Sequence, residues 1–138
     1  MTRHIHNAIL LPIAPDGRIL IQDGRGHRPP PWGFFGGGIE PGETSLEAVI
    51  REAREELELE LTVDDLEQPR NIEGSLGDLT FHLQVFVWQF NGDISQLRVL
   101  EGAGAELMTP QEMLQRVETG GPDFFIAELA ANFRTGLE

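Results

Sequence analysis

Apolar and polar residues alternate with a period of two from Leu79 to Phe90. Phe81, Leu83, Val85 and Val87 share one side; His82, Gln84, Phe86 and Trp88 share the other. This is a strand with one apolar face and a second face that becomes apolar toward its end, as when a helix covers half of it. His4 to Ile13 and Arg18 to Gln22 are two further strands, joined as a hairpin by the Asp16-Gly17 turn, and Arg70 to Ser75 is another. From Thr44 to Leu59 the period changes. At about 100° per residue, Leu46, Val49, Ile50, Ala53 and Leu57 form one stripe of a helix, with Glu47, Arg51, Arg54 and Glu58 opposite. Thr44 or Ser45 supplies the cap. Thr109-Pro110 opens a second helix through about Glu118, with Met113, Leu114 and Val117 inward. Asp123 opens a last one with Phe125, Ile126, Leu129, Ala130 and Phe133 on its stripe. Strands, helix, strands and helices in that order predict an α/β domain.

Between these elements lie the breaks. Asp23 to Pro31 holds two glycines and three consecutive prolines, a stiffened loop carrying Arg25, His27 and Arg28. Asn91-Gly92-Asp93 is a turn, and Glu101 to Pro110 reads as a flexible loop bearing Glu101 and Glu106. His4 and His6 face one side of their strand; they and His82 read as polar strand-face residues rather than ligands.

Composition narrows the chemistry. The 138 residues suit a single domain over 1–138 with a sizeable core. Without cysteine, neither disulfides nor thiolate metal sites can form, which fits a cytoplasmic location. The apolar stretch from Ala8 to Ala14 is too short for a membrane span. Twenty-three acidic against ten basic residues give a formal charge of −13. Such a field repels nucleic-acid polymers and anionic membranes, but a small phosphorylated molecule can be accepted where divalent cations reverse the local sign.

Glu52, Glu55 and Glu56 lie at neither pole of the first helix. Spaced i, i+3, i+4, they crowd three carboxylates into an arc of about 100° beside the apolar stripe. Alone they could be a solvated face. A hard cation, Mg²⁺ or Mn²⁺, is the other remedy for their repulsion, since it takes carboxylate, carbonyl and water oxygens and shares substrate phosphates.

The residues before the helix weigh toward the cation. Gly37, Glu43, Arg51, Glu52, Glu55, Glu56 and Leu59, with Phe34-Phe35-Gly36-Gly37-Gly38 and Glu40-x-Gly42-Glu43 around them, resemble the signature of the Nudix hydrolases at the required spacing. Glu58 departs from it, standing where the family has glycine. That glycine would end the helix in a left-handed conformation, which costs a residue with a Cβ about 1–2 kcal/mol, so a helix end differing in detail is expected. The resemblance implies the Nudix fold, a mixed sheet between helices with the motif as loop-helix-loop. It implies hydrolysis of a nucleoside diphosphate linked to another moiety, by water attacking phosphorus. Glu52, Glu55 and Glu56 would ligate Mg²⁺, with the Gly36 carbonyl and Glu40 nearby. Arg51 and Glu43 would brace the loop, and Glu55 or Glu101 would be the general base. Trp32, Phe34 or Phe35 could stack on a base while Arg25 and Arg28 meet phosphate, although core packing suits at least one phenylalanine.

Two rivals stand beside this reading. A ligand-sensing domain that keeps the fold without turnover usually loses motif glutamates, and here all are retained. A Nudix hydrolase of a non-nucleotide diphosphate keeps the catalyst and changes the substrate; the scarcity of basic residues speaks against an inositol polyphosphate. The expected partner is a small phosphorylated substrate, and a homodimer is one arrangement open to the chain.

Overall fold

The computed structural model describes residues 2–25, 32–98 and 104–133. The order is β1 (Arg3–Ile13), β2 (Ile19–Asp23), β3 (Trp32–Gly33), β4 (Phe35–Gly38), α1 (Ser45–Leu57), β5 (Arg70–Leu76), β6 (Leu79–Gln89), β7 (Gly104–Met108), α2 (Pro110–Arg116) and α3 (Pro122–Ala131). The strands form one mixed sheet in the order β3-β2-β1-β6-β5, with β4 pairing β1 and β7 pairing β2.

β1 is the spine. Along all of its length it runs parallel to β6, from Arg3 opposite Leu79 to Ile13 opposite Gln89. Its other edge is shared: Asn7 to Leu10 pair with β4, and Ile13 alone pairs with Ile19 of β2. The predicted hairpin therefore survives only at its turn, where the Ala14 N–H donates to the Arg18 carbonyl at 2.8 Å. β2 turns instead to β3 and β7.

Alternation along the strands makes two cores. Ile9, Leu11, Ile13, Phe81, Leu83, Val85 and Val87 face α2 and α3, which contribute Met113, Ile126, Ala127 and Ala130. Ala8, Leu10, Leu20, Phe35 and Phe86 face α1, which contributes Ala48, Val49, Ala53 and Leu57. The sheet is thus sandwiched between helices. Burying Val49 and Leu57 completely stabilises the α1 layer by about 1.5–3 kcal/mol each.

Three expectations need correction. The segment read as a loop from Glu101 to Pro110 contains β7, whose Glu106 lies opposite Ile21 of β2; its glycines and alanines hide the strand because the hydrogen-bonding edge comes from β2 rather than from local propensity. The buried face of α1 is rotated from the predicted stripe: Ala48 and Glu56 are buried, whereas Leu46 and Ile50 are only partly so. The cause is β4, whose glycines let the helix approach closely on that side. Finally, the helix ends as a glycine would end it. Glu58 adopts φ 55° and ψ 35°, and its N–H reaches the Arg54 carbonyl at 3.0 Å, the single bond of a left-handed αL cap, with the Leu59 N–H reaching the Ala53 carbonyl at 3.3 Å.

Candidate active site

The motif helix is fixed at its start by a reciprocal cap. Thr44 Oγ1 accepts from the Glu47 N–H at 3.1 Å, and Glu47 Oε1 accepts from the Thr44 N–H at 2.9 Å. Next to it, β4 is a strand almost without side chains. Gly36 has φ +134°, and a Cβ there would run into the Ala8 carbonyl of β1. A Cβ on Gly37 would stand 2.5 Å from Glu52 Oε1. Glycine is required at Gly36 by the backbone of β1, whereas a Cβ at Gly37 would displace only the carboxylate end of Glu52.

Glu56 is only 4 % exposed, and its Oε1 accepts from the Gly36 N–H at 2.7 Å. Glu52 and Glu56, one helical turn apart, therefore seat against consecutive glycines. Glu55 points outward, its side chain 51 % exposed.

Arg51 gathers the acidic groups. Its Nε and Nη2 donate to the two carboxylate oxygens of Glu43 at 2.8 and 3.0 Å, a bidentate pair. Nη2 also donates to the Gly38 carbonyl at 3.1 Å and lies 3.8 Å from Glu40 Oε1. Nη1 donates to Glu52 Oε1 at 3.0 Å and to Glu55 Oε2 at 3.3 Å. The Arg51 guanidinium, helped by the Glu40 N–H at 3.0 Å, holds the Glu43 carboxyl down at about 2 from its ordinary 4.5. The same Glu43 pairing raises the Arg51 pKa.

The residues offer what a hard divalent cation takes. Three carboxylates and the carbonyls of the glycine strand are oxygen donors, and two of the carboxylates reach one guanidinium nitrogen. Among the described residues, no three His, Asp or Glu side chains converge closely enough to hold an ion as they stand. Glu52 and Glu55 are turned to Arg51, which neutralises them, so the donor set fits and would release part of its hold on Arg51 to bind.

The other predicted residues lie elsewhere. Trp32 and Phe34 belong to the core on the α2 and α3 side of the sheet, 9 % and 7 % exposed, opposite the glutamates. Phe35 is fully buried under α1, and a ring so enclosed has no face for a base, which corrects its assignment as a stacking residue. Arg25 is engaged bidentately by Asp23 at 2.9–3.3 Å and lies 4.7 Å over the Trp32 ring, with Arg116 5.0 Å over the same ring. Sequence reading passed over Asp23 and Arg116; the Asp-x-Arg spacing of Asp23 and Arg25 is the local signal that could have found the first. Arg28 and Glu101 lie outside the described residues.

A family model described as the NUDIX domain matches residues 3–127. The chain belongs to the Nudix hydrolase family. Members of this family generally need a divalent metal. This Nudix chain is 46% identical over 57 residues to the nucleoside triphosphatase NudI of Salmonella agona, and 50% identical over 57 residues to that of Salmonella schwarzengrund. Each match covers 39% of the chain and 40% of the relative's length. In structure it is similar over 92% of its length to 88% of the E. coli ORF135 protein, with 25% identity and a TM-score of 0.67. It also shares the fold of the MutT protein of Methanosarcina mazei, with 18% identity, 94% of each chain covered and a TM-score of 0.69. Among the described residues no helix is long and apolar enough to cross a membrane.

Proposed function

We propose that this protein is a Mg²⁺-dependent pyrophosphohydrolase acting on a nucleoside triphosphate or a nucleotide-sugar-like diphosphate. The observation that carries the reading is the seating of Glu52 and Glu56 on consecutive glycines of β4, with Arg51 spanning Glu43, Gly38, Glu52 and Glu55. A merely solvated acidic face would not bury Glu56 against the Gly36 N–H or seat Glu52 against the glycine strand. The partial identity to nucleoside triphosphatases adds support for a nucleotide substrate.

Glu52, Glu55 and Glu56 would hold the cation, with the Gly36 carbonyl and Glu40 at its margin; Mn²⁺ would suit the same donors. When bound, it supplies charge to the phosphoryl oxygens and lowers the pKa of water. The chain's own work is positioning. Arg51 braces the 38–43 turn against the helix through Glu43 and the Gly38 carbonyl, and Glu56 fixes the Gly36 N–H. Water attacks phosphorus, the bridging P–O bond breaks toward the leaving phosphate group, and the water proton passes to a carboxylate. Glu55, the most exposed of the three motif glutamates, is the base on this reading, with Glu101 as the other candidate. Of the residues read as contacts to the nucleotide, Trp32 lies on the face of the sheet opposite the glutamates with Arg25 over its ring, which leaves Arg28 as the proposed contact.

The test is phosphate release, with added inorganic pyrophosphatase, across a panel of nucleotides with and without Mg²⁺. Turnover is expected to vanish in EDTA and to return with Mg²⁺ or Mn²⁺. In Glu56→Gln, kcat should fall at least about 100-fold, the scale of one lost transition-state electrostatic contact. Full activity in EDTA, or an unimpaired Glu56→Gln enzyme, would overturn the reading.

A further inference from the structure

On the α1 side of the sheet, where β1 and β6 begin, three histidines meet. Parallel register puts His6 directly opposite His82, with His4 two residues away on the same face. The His6 and His82 rings are stacked, 4.5 Å apart between centroids and 5° from parallel. His4 Nδ1 lies 3.3 Å from His82 Nε2 with the two rings 13° from parallel, a ring-to-ring hydrogen bond. From the neighbouring strand β5, Glu73 Oε1 lies 3.2 Å from His82 Nδ1. An ionised carboxylate only accepts, so neutral His82 carries its hydrogen on Nδ1, its Nε2 is the acceptor, and His4 Nδ1–H is the donor. The same histidines touch the motif through the backbone. The His6 carbonyl accepts the Ile39 N–H at 2.9 Å, inside the 38–43 turn, and the next residue, Asn7, pairs with Gly38.

We infer that His4, His6 and His82 form a proton-sensitive clasp that holds the 38–43 turn while the rings are neutral and loosens it as they become charged. Imidazole is the side chain whose charge changes between about pH 5 and 8. One added proton fits the cluster. Placed on His82 Nε2, it is accepted by His4 in its other tautomer, and Glu73 stands against the charge. Full protonation does not fit. N–H then faces N–H across the 3.3 Å gap between His4 and His82, two like charges lie face to face at 4.5 Å between His6 and His82, and Glu73 offsets one of the three. As His6 and His82 part, the start of β1 loses its hold on β6, and with it goes the carbonyl that accepts from Ile39. The charged groups on the neighbouring elements are engaged elsewhere. On the same strand faces Ala8, Thr80 and Gln84 are uncharged, and Arg3, on the opposite face of β1, lies 3.6 Å from Asp78. Glu40 and Glu43 of the turn face Arg51, and Glu47 at the start of α1 caps Thr44. The bearing on catalysis rests on the role proposed above for the turn, whereas the readouts below do not use activity, so the two can fail separately.

The experiment is NMR of the full chain from about pH 8 to about pH 5, at one Mg²⁺ concentration, reading the imidazole nitrogens and the hydrogen-exchange protection of backbone amides. At the alkaline end His82 should carry hydrogen on Nδ1 and none on Nε2. Toward the acid end the protection factor of the Ile39 amide should fall at least about 10-fold relative to that of Val85, which is fully buried in β6. His4 and His6 are exposed, so a double variant carrying His4→Gln and His6→Gln keeps the fold and can gain no charge at either position. In it Ile39 should keep its protection at the acid end. A His82 ring with its hydrogen on Nε2 at the alkaline end, Ile39 protection that does not change over the range, or an equal fall in the double variant would each overturn the clasp.

Discussion

Glu58 is the one non-glycine residue with positive φ among the described residues, and its replacement tests the helix end directly. The left-handed conformation costs a residue with a Cβ about 1–2 kcal/mol. Glycine escapes that cost but gives the unfolded chain more freedom, which returns about 0.4–1 kcal/mol. The native residue has one compensation, an ion pair from Arg98 Nη1 to Glu58 Oε2 at 3.2 Å. Both side chains are largely exposed, so the pair adds about 0.2–1 kcal/mol at most. Glu58→Ala and Glu58→Gly both remove the pair, and only glycine relieves the backbone. We expect the glycine variant to exceed the alanine variant by roughly 0.5–1 kcal/mol, about 2–5 °C in Tm for a chain of this length. The wild type should lie between the two or level with glycine. Urea denaturation of the three proteins, with m held common, reads the difference. An alanine variant as stable as the glycine variant would show that residue 58 is not left-handed.

The glycine strand gives a paired prediction: Gly36→Ala, which meets the backbone of β1, should fail to fold or melt far lower, whereas Gly37→Ala, which meets only the end of the Glu52 side chain, should stay folded and lose activity. Equal melting losses in the two would contradict this. The third concerns acid. Because the Glu43 pKa is depressed from 4.5 to about 2 in the folded chain, its pairing stabilises above pH 4.5 and is lost as the pH falls toward 2. Arg51→Ala removes the main cause, so the stability gap between wild type and variant should be constant near neutrality and shrink across that window. A gap independent of pH from 6 to about 2 would refute the pairing as its source.

Much of this was legible in the sequence, for local reasons. The cap at Thr44, the alternation along β6 and the turn at Asn91-Gly92 are written in adjacent residues, and the motif glutamates declare their spacing on one helix. What could not be read depends on partners far away in the chain. β1 alternates like any half-covered strand, and nothing in it says that its neighbour will be β6 in parallel rather than β2 in a hairpin. The same pairing assembles His4, His6 and His82, which look like isolated polar positions when taken singly. Glu58 was misjudged because a propensity was allowed to outweigh the packing of Leu57 and Leu59 on either side of it. An aromatic beside a glycine run looks the same whether it faces the core or the cleft, so the sequence leaves Trp32, Phe34 and Phe35 undivided between stacking and packing, and burial assigns Phe35 to the core.

The parallel pairing also bears on how the chain comes to be folded. Every partner across the β1 and β6 ladder is 76 residues away, as Arg3 and Leu79 show. Closing so long a segment carries an entropic cost before any contact repays it, and such topologies fold slowly. A chain emerging from the ribosome can form α1 early, since its caps and apolar stripe are local, but the sheet on which it rests lacks its central ladder until β6 has been made. Until then β1 carries an open edge beside apolar side chains, a template for pairing with other chains. The interval between the synthesis of Ile13 and that of Gln89 is therefore when this protein is most exposed to aggregation, and when a chaperone would have most to protect.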